Sequence, residues 1–463
     1  MDSTAPQSAS VDITGPIFLS YRHFDGTKIL ARLAWYLRTS GVPVWRDQDD
    51  LPPGDTDDRL SQALADGLSG GVLVITPDVA NSRVVRQIEA EKLIQLHLAD
   101  PTFQLLVAND VRSKSGQVDY GAPDRLLSRP QEELKGVDQR GTDDDELLRL
   151  AKSAVSHRMV QNRDRVAALG YFDLTIQTRN VGQVYDRTGA QLDIRLRPSP
   201  HERLPSADGL RDLQRTLSFL PDAVVTAAAK SVRIRGGAHL SVAYALGAAL
   251  PSSRVGAVTV VDQREDEWRG LSEAHFPTEP HTRQEDLPVV HDTSGKARVL
   301  AYVDLLPTRS DPAFTRFVAE QSGTYASAAV IRHANPDLVS PGAADTIAAE
   351  IAAKIRTLSG EHDNAPVDLL LRCPFAIAVL LGRLSNTLRV RLFEWDDSQV
   401  PGDESARYVP SLDVQASNPS GPITAVLLSG GVDAEERSRG GRQGIREYVR
   451  AAFARAWHGN HGS

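Results

Sequence analysis

Short apolar runs of strand length alternate with amphipathic helical stretches between residues 16 and 109, and this alternation constrains the fold more than any other feature. PIFLS (16–20), VPVW (42–45), VLVIT (72–76) and FQLLVAN (103–109) are the apolar runs. Between them, TKILARLAWYLRTSG (27–41) places Ile29, Leu30, Leu33 and Leu37 at helical spacing and ends in glycine. DRLSQALADGLSGG (58–71) and SRVVRQIEAEKLIQLHL (82–98) also read as helices. A strand that is apolar on both faces must be covered on both, which predicts a parallel sheet between helix layers. Residues 110–141 are polar and loop-forming, and 143–169 predicts one long helix that closes the unit.

A second α/β unit begins near residue 170 with LTIQT (174–178) and LDIRLRP (192–198), and it repeats itself. AKSVRIRGGAHLSVAYALGAAL (229–250) and PVDLLLRCPFAIAVLLGRL (366–384) both read strand, turn, helix. Gly247 aligns with Gly382, Ala243 with Ala378 and Leu246 with Leu381. An apolar strand follows each, AVTVVD (257–262) and RVRLFEWD (389–396). A later strand, ARVLAYVDLL (297–306) against PITAVLLSGG (422–431), and then a helix, 311–323 against 444–457, complete the expected pairing. The order predicts a duplicated Rossmann-like half, with halves at about 170–335 and 340–463 and the helix 343–358 between them.

The 463 residues carry a net charge of −8, which disfavours duplex DNA and anionic membranes as bulk partners. The single cysteine, Cys373, excludes an intrachain disulfide and argues against a cysteine zinc site. Residues 1–14 are polar and acidic, read as a disordered leader without a secretory signal. The apolar stretch 368–382 contains an acid, an Arg and a Pro and is shorter than the ~20 residues of a spanning helix, so a cytoplasmic chain is expected.

In a doubly wound sheet, ligands bind at the carboxyl ends of strands. That places Ser20, Tyr21, Arg22 and Phe24 of IFLSYRHFDG (17–26) near a crevice, and beside them the acidic loop WRDQDDLPPGD (45–55). In the helix at 82–98, Val84, Val85, Ile88, Leu93 and Leu96 form one apolar arc at about 100° per residue. Glu89 falls inside that arc and Glu91 outside it. A carboxylate on a buried face must be paired or must line a pocket. A solvated Arg22, a solvated loop and a paired glutamate are the plain structural alternatives.

Together FLSYRHFDG, DQDDLPPGD and SRVVRQIE resemble, in order and spacing, three motifs of the TIR family, over residues 15–160. The resemblance implies a flavodoxin-like domain that cleaves NAD+, with Glu89 as the catalytic carboxylate and Glu91 as second choice. Ser20, Tyr21, Arg22, Phe24, Trp45 and Ser82 would shape the NAD+ pocket. Val85 stands where enzymatic members usually carry Trp. Nicotinamide leaves as a neutral pyridine, so no general acid is required, and one carboxylate facing an oxocarbenium-like transition state suffices.

In the second unit, Gly236 and Gly237 precede one repeated helix and Arg372 and Pro374 the other, where backbone approach and helix N-termini suit anions. Trp268, Trp395 and Tyr408 are candidates for stacking on bases. RGGAHLSVAYALG, RCPFAIAVLLG, FEWDD and RYVPSL make residues 165–463 resemble the SAVED domain, two fused CARF-like halves that sense cyclic oligonucleotides. Gly236, Gly237, His239, Arg372, Pro374, Trp395 and Tyr408 would then be the ligand-binding set. The whole chain resembles the TIR-SAVED effectors of bacterial cyclic-oligonucleotide anti-phage systems. That resemblance implies a ligand, expected as cyclic tri-adenylate, that stacks copies head to tail into filaments, with Asp50 and Leu51 at the TIR–TIR contact. NAD+ would be the substrate, with no resident cofactor or metal. The alternatives are a non-enzymatic TIR scaffold assembled by the same ligand and a sensor that degrades its ligand.

Overall fold

The two-faced apolar runs do become the strands of a parallel sheet. A computed structural model describes residues 11–45, 56–179, 188–199, 203–270, 279–287, 298–308, 312–321, 323–335, 338–397 and 406–429. The first unit runs β1 (Ile17–Ser20), α1 (Thr27–Thr39), β2 (Val44–Trp45), α2 (Thr56–Asp66), β3 (Gly70–Ile75), α3 (Ala90–Ala99), β4 (Gln104–Asn109), α4 (Ala122–Leu126), β5 (Asp138–Arg140) and α5 (Asp144–Gln161). The sheet order is β2-β1-β3-β4-β5 with every pairing parallel, the flavodoxin-like doubly wound order.

Three local expectations change. Gly70 and Gly71 belong to β3 rather than to the end of the preceding helix. The helix expected over 82–98 opens with a π turn, Val85–Glu89, before α3. The long helix expected over 143–169 divides after α5 at Asn162, and α6 (Arg163–Leu169) follows. There the Asn162 side-chain amide donates to the carbonyls of Arg158 (2.8 Å) and Ile13 (3.2 Å), a local bond that competes with continued helix.

The second unit adds β6 (Phe172–Gln177), β7 (Leu192–Arg195), α7 (Ala207–Thr216), α8 (Leu220–Thr226), β8 (Ser231–Gly237), α9 (Leu240–Ala248), β9 (Ala257–Val261) and β10 (Glu267–Gly270). It continues with β11 (Thr282–Leu287), β12 (Arg298–Asp304), α10 (Pro312–Glu320), β13 (Tyr325–His333), α11 (Ala344–Gly360), β14 (Val367–Arg372), α12 (Phe375–Arg383), β15 (Val390–Asp396), β16 (Arg407–Val414) and β17 (Ile423–Val426). Two sheets form, ordered β10-β9-β8-β6-β7 and β11-β13-β12-β14-β15-β16-β17.

The duplication is present, in a different frame from the one expected. β12 does not match β17. It sits between β13 and β14, parallel to both, as β6 sits between β7 and β8. β11, β12 and β13, expected in the first half, therefore hydrogen-bond into the second sheet. The helix expected over 444–457 lies outside the described residues.

The halves meet where α9 crosses α12. A Cβ on Gly247 would overlap the carbonyl of Val379, and one on Gly382 would overlap the carbonyl of Tyr244. Those contacts are reciprocal, so the crossing lies on the pseudo-twofold axis. Arg383, buried at the end of α12, donates to the carbonyls of Leu250 and Val255 (2.7 Å to Val255) and so ties the second half to the loop after α9.

The two units also share a packed junction. The buried Arg158 guanidinium of α5 donates to the carbonyls of Gly15 (2.8 Å) and Gln191 (2.7 Å), one from each unit. From α1, Tyr36 Oη accepts from Arg215 of α7 at 2.7 Å, and just beyond it the Gly41 carbonyl accepts from the Asp193 N–H of β7 at 2.7 Å. Trp35 faces Arg197, with the guanidinium 5.6 Å from the ring.

Gly247→Ala or Gly382→Ala should lower stability by about 1–3 kcal/mol through overpacking, measured by denaturant unfolding. Gly237→Ala is the control, because its methyl would meet no atom within 4 Å.

Candidate functional site

β1 is short and apolar, and it ends at Ser20, whose side chain is wholly buried at the β1/β3 switch point. Ser20 Oγ donates to Glu89 Oε2 at 2.6 Å. Glu89 closes the π turn, a helical irregularity that recurs at functional sites, and is 6% exposed. The crevice rule and the buried carboxylate therefore meet at one point. Glu91 faces away and pairs with Arg129, which also holds Glu133.

The loop after β1 carries the other expected residues. Tyr21 is buried and its ring lies 4.8 Å from His23. Arg22 reaches Asp25 (3.2 Å) and Asp78 (3.7 Å), which clips the loop after β1 to the loop after β3. Its guanidinium also lies 5.3 Å from the Phe24 ring, which is 87% exposed. Asp78 escaped the sequence reading because nothing in its neighbours marks it. Asp50 and Leu51 lie outside the described residues.

Two expected pocket residues have other surroundings. Trp45 is buried and stacked on Phe18 at 5.4 Å in the core, so its ring is not an open wall. Ser82 Oγ accepts from the Val85 N–H at 3.4 Å, which makes it a cap for the π turn. Val85 is buried in the same core cluster as Trp45.

In the second unit a cleft of about 670 Å³ opens at the start of α12. Gly236, Gly237 and Pro374 line it, joined by Arg179, Arg235, Arg264, Asp262 and Trp268. Gly236 has φ +104°, and a Cβ there would strike the Ile176 carbonyl, so only glycine serves. Arg235 is held by Asp173, with Nε 3.1 Å from Oδ1, and Trp268 Nε1 donates to Asp262 Oδ2 at 3.0 Å. The cleft thus collects three arginines and the first turn of a helix, a combination suited to phosphate.

Four expected ligand residues are not among its walls. His239 is buried behind it, its Nδ1 2.8 Å from Thr178 Oγ1. Arg372 is turned to the buried Asp304 at 2.7 Å, which Arg332 also reaches at 3.3 Å. Tyr408 packs edge-on against Tyr302 and Phe317 in the core. Trp395 stands on β15, part exposed, paired in register with Tyr408. Sequence reading missed Arg179, Arg264 and Glu394. The polar Glu394 interrupting the apolar run RVRLFEW was the available signal for the last.

Glu394 is enclosed and accepts from the Ser241 N–H in the first turn of α9 at 2.7 Å. Desolvation pushes its carboxyl up to about 7, against the opposing pull of the Ser241 bonds and of Arg179. Burial likewise pushes the Cys373 thiol up to about 12, which leaves it unreactive. Among the described residues no cluster of His, Cys, Asp and Glu could hold a metal, and no helix is long and apolar enough to cross a membrane.

A flavodoxin-like domain with a buried Ser–Glu pair at its switch point is thus packed on a duplicated Rossmann-like unit with an arginine-lined cleft. The family model for the TIR domain matches residues 17–149, and that for the SMODS-associated and fused to various effectors sensor domain, SAVED, matches 218–414. The chain is a TIR domain joined to a SAVED domain. Solved structures similar to it include the Acinetobacter baumannii Cap4 SAVED/CARF-domain containing receptor with the cyclic trinucleotide 2'3'3'-cAAA. That chain is 11% identical, with a TM-score of 0.42 over 85% of this chain and 98% of the other. The Moraxella osloensis Cap4 SAVED/CARF-domain containing receptor is 12% identical, with a TM-score of 0.38 over 84% and 98%. No curated protein matches the chain.

Glu394→Gln should stabilise the protein at pH 8. A carboxyl whose pKa is raised on folding contributes most below its unfolded value near 4.5, and that contribution is lost as pH rises through about 7. The variant's advantage, about 2–3 kcal/mol at pH 8, should therefore shrink to under about 1 kcal/mol at pH 5 and vanish below about pH 4 in denaturant titrations.

Proposed function

We propose that the protein is an NAD+ glycohydrolase switched on by a cyclic oligonucleotide, an effector of a bacterial anti-phage signalling system. The observation that carries this reading is the buried Ser20–Glu89 pair at the switch point of a TIR sheet. The C1′–N bond of the nicotinamide riboside breaks with its electron pair going to the nicotinamide nitrogen, so nicotinamide departs neutral. Glu89 faces the positive charge that develops on the ribose, and its low-dielectric setting strengthens the attraction. Ser20 orients the carboxylate. Water adds its oxygen to C1′ and gives up a proton. Arg22 and the exposed Phe24 lie beside the crevice, suited to phosphate and to adenine.

The cleft of Arg179, Arg235 and Arg264 at the start of α12 would take the phosphodiesters of the activator, with cyclic tri-adenylate as the first candidate. Arg158, Arg215–Tyr36 and Gly41–Asp193 fix the two domains to each other. This favours a scheme in which ligand alters how copies stack rather than how one chain hinges. Head-to-tail filaments would bring a neighbour's TIR domain over each crevice, with Asp50 and Leu51 in the contact. A scaffold without catalysis is the second reading, favoured by Val85 filling the core where enzymatic relatives carry Trp.

Incubation with NAD+ and cyclic tri-adenylate should release nicotinamide, with assembly followed by light scattering. Glu89→Gln should abolish turnover, by at least ~100-fold, while assembly persists. Ser20→Ala should lower kcat roughly 10- to 100-fold through misplacement of the carboxylate. Assembly without NAD+ loss in the unaltered protein would establish the scaffold instead.

A further inference from the structure

The two halves treat their equivalent helix starts differently. Val232 pairs with Val258 as Val367 pairs with Val390, so Asp262 and Glu394 occupy equivalent positions one strand over. Asp262 is turned into its own loop, accepting from the N–H groups of Arg264 (2.8 Å) and Asp266 (3.1 Å) and from Trp268. The start of α12 is thereby left facing the cleft. Glu394 instead reaches across the pseudo-twofold and closes the start of α9 through the Ser241 N–H. Ser241 Oγ in turn lies 3.0 Å from Ser411 Oγ of β16.

We propose that Glu394 is a positioning residue that serves as a built-in anion at the start of α9, confining ligand phosphate to the α12 side of the cleft and coupling ligand binding to proton uptake. The proposal rests on the reading of the cleft as the activator site. Arg179 is the link, because it lines the cleft and also acts electrostatically on Glu394. A phosphodiester drawn to Arg179 withdraws the positive charge that favours the ionised carboxyl, and adds negative charge of its own. The ionised form then loses ground to the protonated one, and near neutral pH the complex holds more of that proton than the free protein does.

His239 stands at the start of α9, bonded to Thr178 at the end of β6. Asp396 follows on β15, 3.5 Å from Arg407 of β16.

Calorimetric titration of the full chain with cyclic tri-adenylate at pH 6 to 8, in buffers of different ionisation enthalpy, tests this. Affinity should fall about fivefold across the range, as for a one-unit rise from about 7 on binding, with net uptake of about half a proton near pH 7.5. Glu394→Gln should bind at every pH about as tightly as the unaltered protein does at pH 6, and Ser241→Ala should move the inflection to higher pH. A flat profile in the unaltered protein, or an unchanged slope in Glu394→Gln, overturns the proposal and leaves the cleft reading standing. Absence of binding at every pH, for this nucleotide and for cyclic dinucleotides alike, overturns both.

Discussion

The glycine-to-backbone crossing of α9 and α12 is the constraint on which the sensor depends. Two helices approach closely enough for their backbones to touch only if no Cβ intervenes, and the chain supplies Gly247 and Gly382 at the two reciprocal contacts. Because those helices follow β8 and β14, the crossing fixes the carboxyl ends of two separate sheets beside one another. The cleft is the consequence. Gly236 and Gly237 come from one half and Pro374 from the other, brought to one wall by a contact about two turns farther along the helices.

α1 carries the equivalent constraint for the effector. It begins directly after the Arg22–Phe24 loop and ends against the sensor through Tyr36 and Gly41. A guanidinium as buried as Arg158 is tolerated because its donors meet carbonyls on both sides of the junction. Breaking the junction would expose those carbonyls and leave a cation without acceptors, so the two domains are expected to move as one body.

Much of this was legible in the sequence because it rests on periodicity. The strand–helix alternation predicted the parallel sheet, and the S-Y-R and Q-I-E segments predicted which strand end and which helix would meet. The arc that selected Glu89 over Glu91 assumed an α-helix. The π turn rotates the residues locally, yet the choice agrees with the geometry because Val85 and Leu93 still anchor the buried side. What failed was long-range. The strand β12 has the same apolar character wherever it is placed, so composition could not show that it joins the second sheet. Trp45, Tyr408 and Arg372 were chosen for residue type, and type does not distinguish a ring that stacks on a base from one that fills a core, or an arginine free for phosphate from one held by Asp304.

The departures from symmetry carry more information than the symmetry. A perfect duplication would offer two equal helix starts, and a ring of identical nucleotides could then settle on either. Here one start is closed by a carboxylate from the opposite half and the other is open beside three arginines. The helix dipole makes both ends attractive to anions by similar amounts, of order 1 kcal/mol in partly buried settings. Intrinsic preference therefore cannot choose between them, and the internal occupant does. Glu394 bears the cost of burial so that one end is unavailable, and the duplicated fold acquires a direction that its backbone alone does not have.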